Sequence, residues 1–273
     1  MPRIVRSNSA FLVVDKPAGW LVHPTRPDGT FTLIDWLREQ YPEEFLSLVS
    51  RLDRETSGLL LVGRGKDNAS LLGKMQQRRE IHKTYLAIVH GRPPESGVID
   101  ASLDRLGKHQ PSRIYIRQAV IPGTYPALTE FKTLGTRTHH EHGEISLVEA
   151  SPKTGRLHQI RAHFDHIGCP VVNDKIYGKN DDIFINYIDK DTKNICGIGR
   201  HCLHSNKLTF TLKLGSEVEK VGVRGRNFGG QRSKKLGSEV GTDLETDLGS
   251  EVVSAEAETP EDMAGIWKGG IPS

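Results

Sequence analysis

The segment SRLDRETSGLLLV, Ser50 to Val62, places an aspartate between two arginines, follows it with Thr-Ser-Gly and runs straight into an apolar stretch. Asp53 is thus a carboxylate at the entrance of a buried strand with cations beside it, an arrangement that can keep an anion charged where solvent is scarce. The same residues also fit an ordinary Asx turn closed by Gly58, and the local pattern leaves both readings open. A second concentration of chemistry is TGRLHQIRAH, Thr154 to His163, in which His158 and Arg161 stand one helical turn apart. A guanidinium there can hold a carboxylate through paired hydrogen bonds or sit in a solvated surface ion pair. Tyr85, in the β-rich run Thr84 to Val89, offers either a flat face for a planar ligand or plain core packing.

Other reactive side chains lack the spacing their chemistry requires. His139, His140 and His142 cluster in an expected hairpin loop without a cysteine or carboxylate at metal-ligand spacing, and Cys196 and Cys202 around His201 are poorly spaced for zinc. Leu-Asp-Arg recurs at Leu103 to Arg105, but Gly107 and Lys108 follow in place of a Thr-Ser-Gly turn, so Asp104 is set aside. The chain carries neither a phosphate loop nor a dinucleotide fingerprint. No metal and no cofactor are expected.

These residues need elements to hold them. Phe11 to Val14 reads as a strand, Lys16 to Gly19 as a turn, and Trp20 to Val22 as extended chain. Thr32 is placed to cap a helix carrying Leu33, Ile34, Leu37 and Tyr41 and ended by Pro42; a second helix follows Asp67 or Asn68 with Leu71, Leu72 and Met75 on one face. A third is predicted after Thr154 and Gly155, turning Leu157, Ile160 and Phe164 inward. Leu59 to Val62, Thr84 to Val89, Ala127 to Leu134, Glu144 to Ser151 and Leu208 to Leu214 read as strands. Strands outnumber helices and regular helical crossovers are few. The expected class is α+β, with a mixed, mostly antiparallel central sheet flanked by helices and loops.

The 273 residues carry a net charge of +3, but nine acidic residues and one lysine fall between Leu236 and Ser273. The remaining 235 residues hold 36 basic and 25 acidic side chains, a balance of +11, which suits a polyanionic partner or simply a solvated basic surface. LGSEV occurs three times, from Leu214, Leu236 and Leu248, around the stretch GVRGRNFGGQRSKK. Such composition buries little apolar surface. Residues 1–214 are therefore expected to fold and 215–273 to form a disordered, basic-then-acidic tail. Apolar runs fall far short of the ~20 residues of a membrane span, the N-terminus does not resemble a secretory signal, and three cysteines suit a reducing compartment. A cytoplasmic monomer is expected.

RLDRETSGLLL closely resembles the signature of the RluA family of pseudouridine synthases. The likeness extends in order through KPAGWLVHP (Lys16 to Pro24), KTYLAIVHG (Lys83 to Gly91), ALTEF (Ala127 to Phe131), TGRLHQIRAH, NDKIYG (Asn173 to Gly178) and RHCLHSNKLTF (Arg200 to Phe210), over roughly residues 10–212. Ser50 stands where the family often has His before Arg-Leu-Asp, and Arg-His-Cys-Leu-His-Ser replaces Arg-Leu-x-Leu-His-Ala. Neither departure removes a charged catalytic group.

The resemblance implies the pseudouridine synthase fold and isomerisation of a specific uridine in rRNA or tRNA by base flipping, with Asp53 catalytic, Arg161 paired to it and Tyr85 stacked on the uracil. Attack at C6 of the ring and assisted departure at C1′ both remain open. Arg51 resembles the arginine that fills the vacated space. Lys16, His23, Arg54, Lys83, Arg156 and His158 are candidates for contacts to the RNA backbone. The alternatives are a catalytically inactive RNA-binding or assembly factor of the same fold, and a carboxylate-based hydrolase, which needs a second acid.

Overall fold

The structure is a computed structural model that describes residues 1–24, 29–189, 199–213 and 250–272. The chain divides into two units, Met1–Phe210 with Ser254–Ser273, and Thr211–Val253. All that follows concerns the first, apart from strand ends that run into the second.

In chain order the elements are β1 (Arg3–Ser7), β2 (Phe11–Lys16), α1 (Leu33–Gln40), β3 (Leu46–Leu48), β4 (Ser57–Arg64), α2 (Lys66–Gln77), β5 (His82–His90), β6 (Ser96–Asp100), β7 (Leu103–Arg105), β8 (Gln118–Val120), β9 (Leu128–His139), β10 (Gly143–Pro152), α3 (Gln159–His166), α4 (Asp181–Asp189), β11 (Leu203–Lys213), β12 (Ser250–Glu256), α5 (Glu261–Lys268) and β13 (Gly270–Pro272). The main sheet runs β1-β2-β4-β11-β5-β10-β9-β13, with β3 on β4, β6 on β9 and β12 on β11; β7 and β8 form a separate pair. The fold is α+β with a mixed, mostly antiparallel sheet. Helices of the described residues are all too short and polar to cross a membrane.

The parallel pairing of β4 with β11 joins the two halves of the sheet, matching His204 to Ser57 and Ser205 to Gly58. Gly58 makes this approach possible. Its φ is +103°, and a Cβ there would lie 2.2 Å from the carbonyl oxygen of Ser205, so no other residue fits. The Thr-Ser-Gly of the sequence is thus the point where the Asp53 loop is seated on β11.

β4 reads as a continuous apolar run because both of its faces are covered. Leu60 and Val62 pack with Leu12, Val14, Leu33 and Leu37 beneath α1. A second core joins Ala87, Val89, Val148, Ile160 and Phe164 between the sheet and α3. Thr32 caps α1 as expected, its N–H and hydroxyl donating to Asp35 Oδ2 at 3.1 and 2.6 Å. α2 begins at Lys66, slightly earlier than its sequence signals, and Trp20 to Val22 is not a strand.

Two expectations are corrected here. Leu157 is exposed instead of inward, because α3 starts at Gln159 and Leu157 belongs to the preceding loop. The tail expected over 215–273 does not reach the C-terminus. Residues 214–249, with the Arg/Gly stretch and most of the LGSEV repeats, lie outside the described residues, but β12, α5 and β13 are formed. Met263 of α5 joins the second core, and β13 pairs with β9, Ile271 facing Thr138.

Candidate active site

A cleft of about 810 Å³ opens over the loop before β4, the end of β5 and the start of α3, a size suited to a small molecule or one extruded nucleotide. Asp53, Tyr85 and Arg161 all line it, with His23, Arg51, Arg54, Lys83, Arg156 and His158. A second cavity of about 720 Å³, between β8 and the far face of α3, contains none of these.

The Asp53 loop is held by backbone, leaving its carboxylate free. Thr56 N–H donates to the Asp53 carbonyl at 3.1 Å, so the turn closes through main chain and the Asx reading does not apply. The carboxylate instead accepts from Arg161 Nη1 at 2.8 Å and remains 24% exposed to the cleft. Burial opposes its ionisation. The cationic groups facing it outweigh that cost: His158 at the low pH where the acid titrates, Arg161 with its hydrogen bond, and His201 draw the pKa down to about 2.

Arg161 is aimed by a second carboxylate that carried no assigned role in the sequence reading. Asp174 Oδ2 accepts from its Nε at 2.6 Å and Oδ1 from its Nη2 at 2.9 Å, a paired contact that fixes the guanidinium plane. Asp174 is itself positioned by the N–H groups of Ile176 and Tyr177, which donate to Oδ1 at 2.9 and 3.2 Å. Burial works against the charge of Arg161, yet Asp174 and Asp53 more than compensate and its pKa rises. Asp174 lies within NDKIYG, thirteen residues from its partner. The available signal was electrostatic, since a buried arginine opposite one partly solvated carboxylate calls for a second.

Tyr85 presents a mostly buried side chain to the cleft, and burial pushes its hydroxyl up to about 12, so it is a neutral O–H near pH 7. Lys83 lies on the same strand, drawn down to about 8 by burial alone. His23 donates from Nδ1 to the Pro24 carbonyl at 2.7 Å, leaving Nε2 to accept from Arg51 at 3.2 Å on the rim. Arg156 donates to the Pro126 carbonyl at 3.2 Å and leaves the rest of its guanidinium exposed.

Lys16 is a correction. It is fully buried, lies outside the cleft lining and donates to the carbonyls of Pro17, Trp20 and Arg54 at 3.0, 3.0 and 3.1 Å. Three acceptors match the three protons of an ammonium, although burial draws its pKa to about 7. Its position clasps the KPAG turn to the Asp53 loop, assisted by Gly19 N–H to the Arg54 carbonyl at 2.8 Å and Arg54 Nε to the Gly19 carbonyl at 3.1 Å. Covered and spent on these carbonyls, its ammonium is not offered to the cleft.

Behind the loop, Glu55 accepts from Lys175 Nζ at 2.7 Å and from His201 N–H at 3.2 Å, and Thr56 Oγ1 lies 2.8 Å from His201 Nε2. These polar residues come from NDKIYG and RHCLHS, so both motifs serve to hold the loop. Asp104 is engaged by Lys108 and His109 away from the cleft. His139 is buried in the β9–β10 hairpin and stacked on His140 and His142. Cys196 lies outside the described residues.

Residues 10–166 match the RNA pseudouridylate synthase family. An uncharacterised RNA pseudouridine synthase of Chloroflexus aurantiacus is 41% identical over 170 residues, 60% of this chain and 51% of that protein. Ribosomal large subunit pseudouridine synthase C of Buchnera aphidicola is 33% identical over 212 residues, covering 76% of this chain and 62% of the relative. The chain thus spans between about half and three fifths of the length of these relatives. The solved structure of human RNA pseudouridylate synthase domain containing 1 superposes with a TM-score of 0.59 at 26% identity, covering 77% of this chain and 78% of that one. The ordered motifs, the sheet topology and these matches agree: the chain belongs to the RluA family of RNA pseudouridine synthases.

Proposed function

We propose that the protein isomerises a specific uridine of rRNA or tRNA to pseudouridine, with Asp53 as the catalytic carboxylate. The observation that carries this reading is an ionised carboxylate held at the edge of a nucleotide-sized cleft by a guanidinium that is itself clamped by Asp174. Since C6 and C1′ are inaccessible in a stacked helix, the uridine is flipped into the cleft. Tyr85 stacks on the uracil, a contact worth about 1–3 kcal/mol. Arg51, whose hydrogen-bond partner on the rim among the described residues is His23, fills the vacated space. Lys83, Arg54, Arg156 and His23 supply charge and hydrogen bonds to the backbone.

The hydrolase alternative needs a second acid facing the substrate. Asp174, the acid that shares Arg161 with Asp53, is fully covered and uses both oxygens on Arg161, which favours the isomerase. The inactive RNA-binding alternative gains no specific support from a site in which Asp53, Tyr85 and Arg161 line one cleft. Nucleoside analysis of rRNA and tRNA after incubation with the purified chain should yield pseudouridine and no free uracil. Release of uracil would select the hydrolase, and RNA binding without either product the assembly factor.

A further inference from the structure

His158 is aimed by an unusual backbone. It precedes α3 with φ +53°, a left-handed conformation that a residue bearing a Cβ adopts only under strain. Its carbonyl accepts the N–H of Ala162 at 2.9 Å, so the residue starts the helix while its ring turns inward, buried against Tyr177.

The neighbours of the ring fix where its proton resides. The backbone N–H of Gln118 donates to the Tyr177 hydroxyl at 3.0 Å. That hydroxyl has one proton of its own to give, and His158 Nδ1 lies 3.1 Å from it. An Nδ1 that accepts leaves the single proton of a neutral imidazole on Nε2. Nε2 has no hydrogen-bond partner among the described residues and stands 3.9 Å from Asp53 Oδ2, too far for a direct bond.

We propose that Tyr177 holds His158 as the neutral Nε2–H tautomer, and that this N–H donates to a carbonyl oxygen of the flipped uracil beside Asp53. The ligand half of the proposal rests on the reading of the protein as a pseudouridine synthase; the tautomer does not. Negative charge develops on the uracil as its bond to the sugar weakens, and a preoriented donor in a poorly hydrated cleft stabilises that charge. The charged and titratable groups facing the ring are Arg161, Asp53, Asp174, His201 and Tyr177. Burial, reinforced by Arg161, draws the imidazole down to about 4, which keeps it neutral near pH 7. Tyr177 is a positioning residue, since it acts only through His158.

The test is ¹⁵N NMR of the full chain labelled at histidine, with the His158 ring identified by its loss in His158→Gln. At pH 7 the expected signature is an unprotonated Nδ1 and a protonated Nε2, shifting to mixed tautomers in Tyr177→Phe. A protonated Nδ1 or a doubly protonated ring in the wild-type chain would overturn the proposal. In tritium release from RNA carrying 5-tritiated uridine, His158→Leu should lower kcat about 100-fold with KM nearly unchanged. His158→Gln, whose amide N–H can stand in for Nε2–H, should recover about tenfold of that. Equal turnover by wild type, Leu and Gln variants, each with a wild-type circular dichroism spectrum, would remove the donor role. A wild-type chain with the expected tautomer and no tritium release would instead overturn the enzyme reading and the ligand half with it.

Discussion

Asp53 and Arg161 function as part of a three-member array, and its third member sets the outcome of mutation. Asp174→Asn keeps the shape but removes the charge that balances a buried guanidinium, and it turns one acceptor into a donor facing other donors. Breaking such a buried contact costs about 3–5 kcal/mol. Urea denaturation should show that loss as a lower midpoint, and turnover should fall with RNA affinity largely retained. Unchanged stability would mean that Asp174 is dispensable for aiming Arg161. At this scale the local pattern left Asp53, Tyr85 and Arg161 open between chemistry and plain structure; the ordered resemblance to the family singled them out, and the structure adds that all three line one cleft. Asp174 was not legible, because its pairing with Arg161 exists only after α3 and the NDKIYG loop have packed. Lys16 was misread for a related reason: sequence reports a cation next to a turn, and only the fold shows that three carbonyls converge on its Nζ. His158 was placed inside the helix because the spacing to Arg161 suits one, whereas the left-handed backbone that turns its ring inward leaves no mark in the pattern.

Loops and the last helix position the site from a distance. Lys16→Met should leave the Pro17 and Trp20 carbonyls without a donor among the described residues, each costing about 1–3 kcal/mol, while the Arg54 carbonyl keeps the N–H of Gly19, and so loosen the KPAG turn on the Asp53 loop. A lower Tm together with reduced turnover is the expected result; a stable, fully active variant would remove the clasp from this account. α5 acts on the other side. Asp262 accepts from Arg200 Nε and Nη2 at 2.6 and 3.0 Å, while Nη1 of the same arginine reaches the carbonyl of Leu203 at 3.0 Å and that of Glu55 at 3.5 Å. The exposed aspartate contributes little by itself, but Met263 is buried in the core shared with Tyr85 and Phe164. Met263→Ala should cost about 2–5 kcal/mol, measured by chemical denaturation, and a chain ending at residue 249 should lose turnover as well as stability. Full activity in that truncation would show that α5 and β13 are dispensable for the site. The signals for α5 were present in the sequence: Pro260 before the first turn, Glu261 and Asp262 within it and Lys268 at the end. The acidic, repetitive composition of the preceding stretch outweighed them.

For the whole molecule, hydrophobic periodicity sufficed for the fold class, since alternation and helical spacing survive in most elements of the sheet and in α1 and α2. It could not supply the parallel seam between β4 and β11, which joins segments nearly 150 residues apart and depends on the one glycine that lets two backbones approach. Buried histidines give the fold its own pH response. Burial, helped by nearby arginines, lowers His158 and His204 from 6.5 to about 4. The folded state therefore favours their neutral forms. Their contribution is complete above pH 6.5 and is lost as pH falls toward 4, up to about 3 kcal/mol each. Tm should decline across that window, before the carboxylates of Asp53 and Asp174 begin to protonate, and His158→Gln should flatten the decline. A Tm that stays level from pH 7 to pH 4 would contradict the burial of these rings.

The account depends most on the ionised carboxyl group at position 53. Its most direct test is single-turnover tritium release from RNA bearing 5-tritiated uridine, comparing the wild-type chain with Asp53→Asn at matched RNA occupancy. The expected result is release by the wild type and a loss of at least about 1,000-fold in the variant, with RNA binding largely intact. Comparable release by the two proteins would contradict the assignment of Asp53 as the catalytic group.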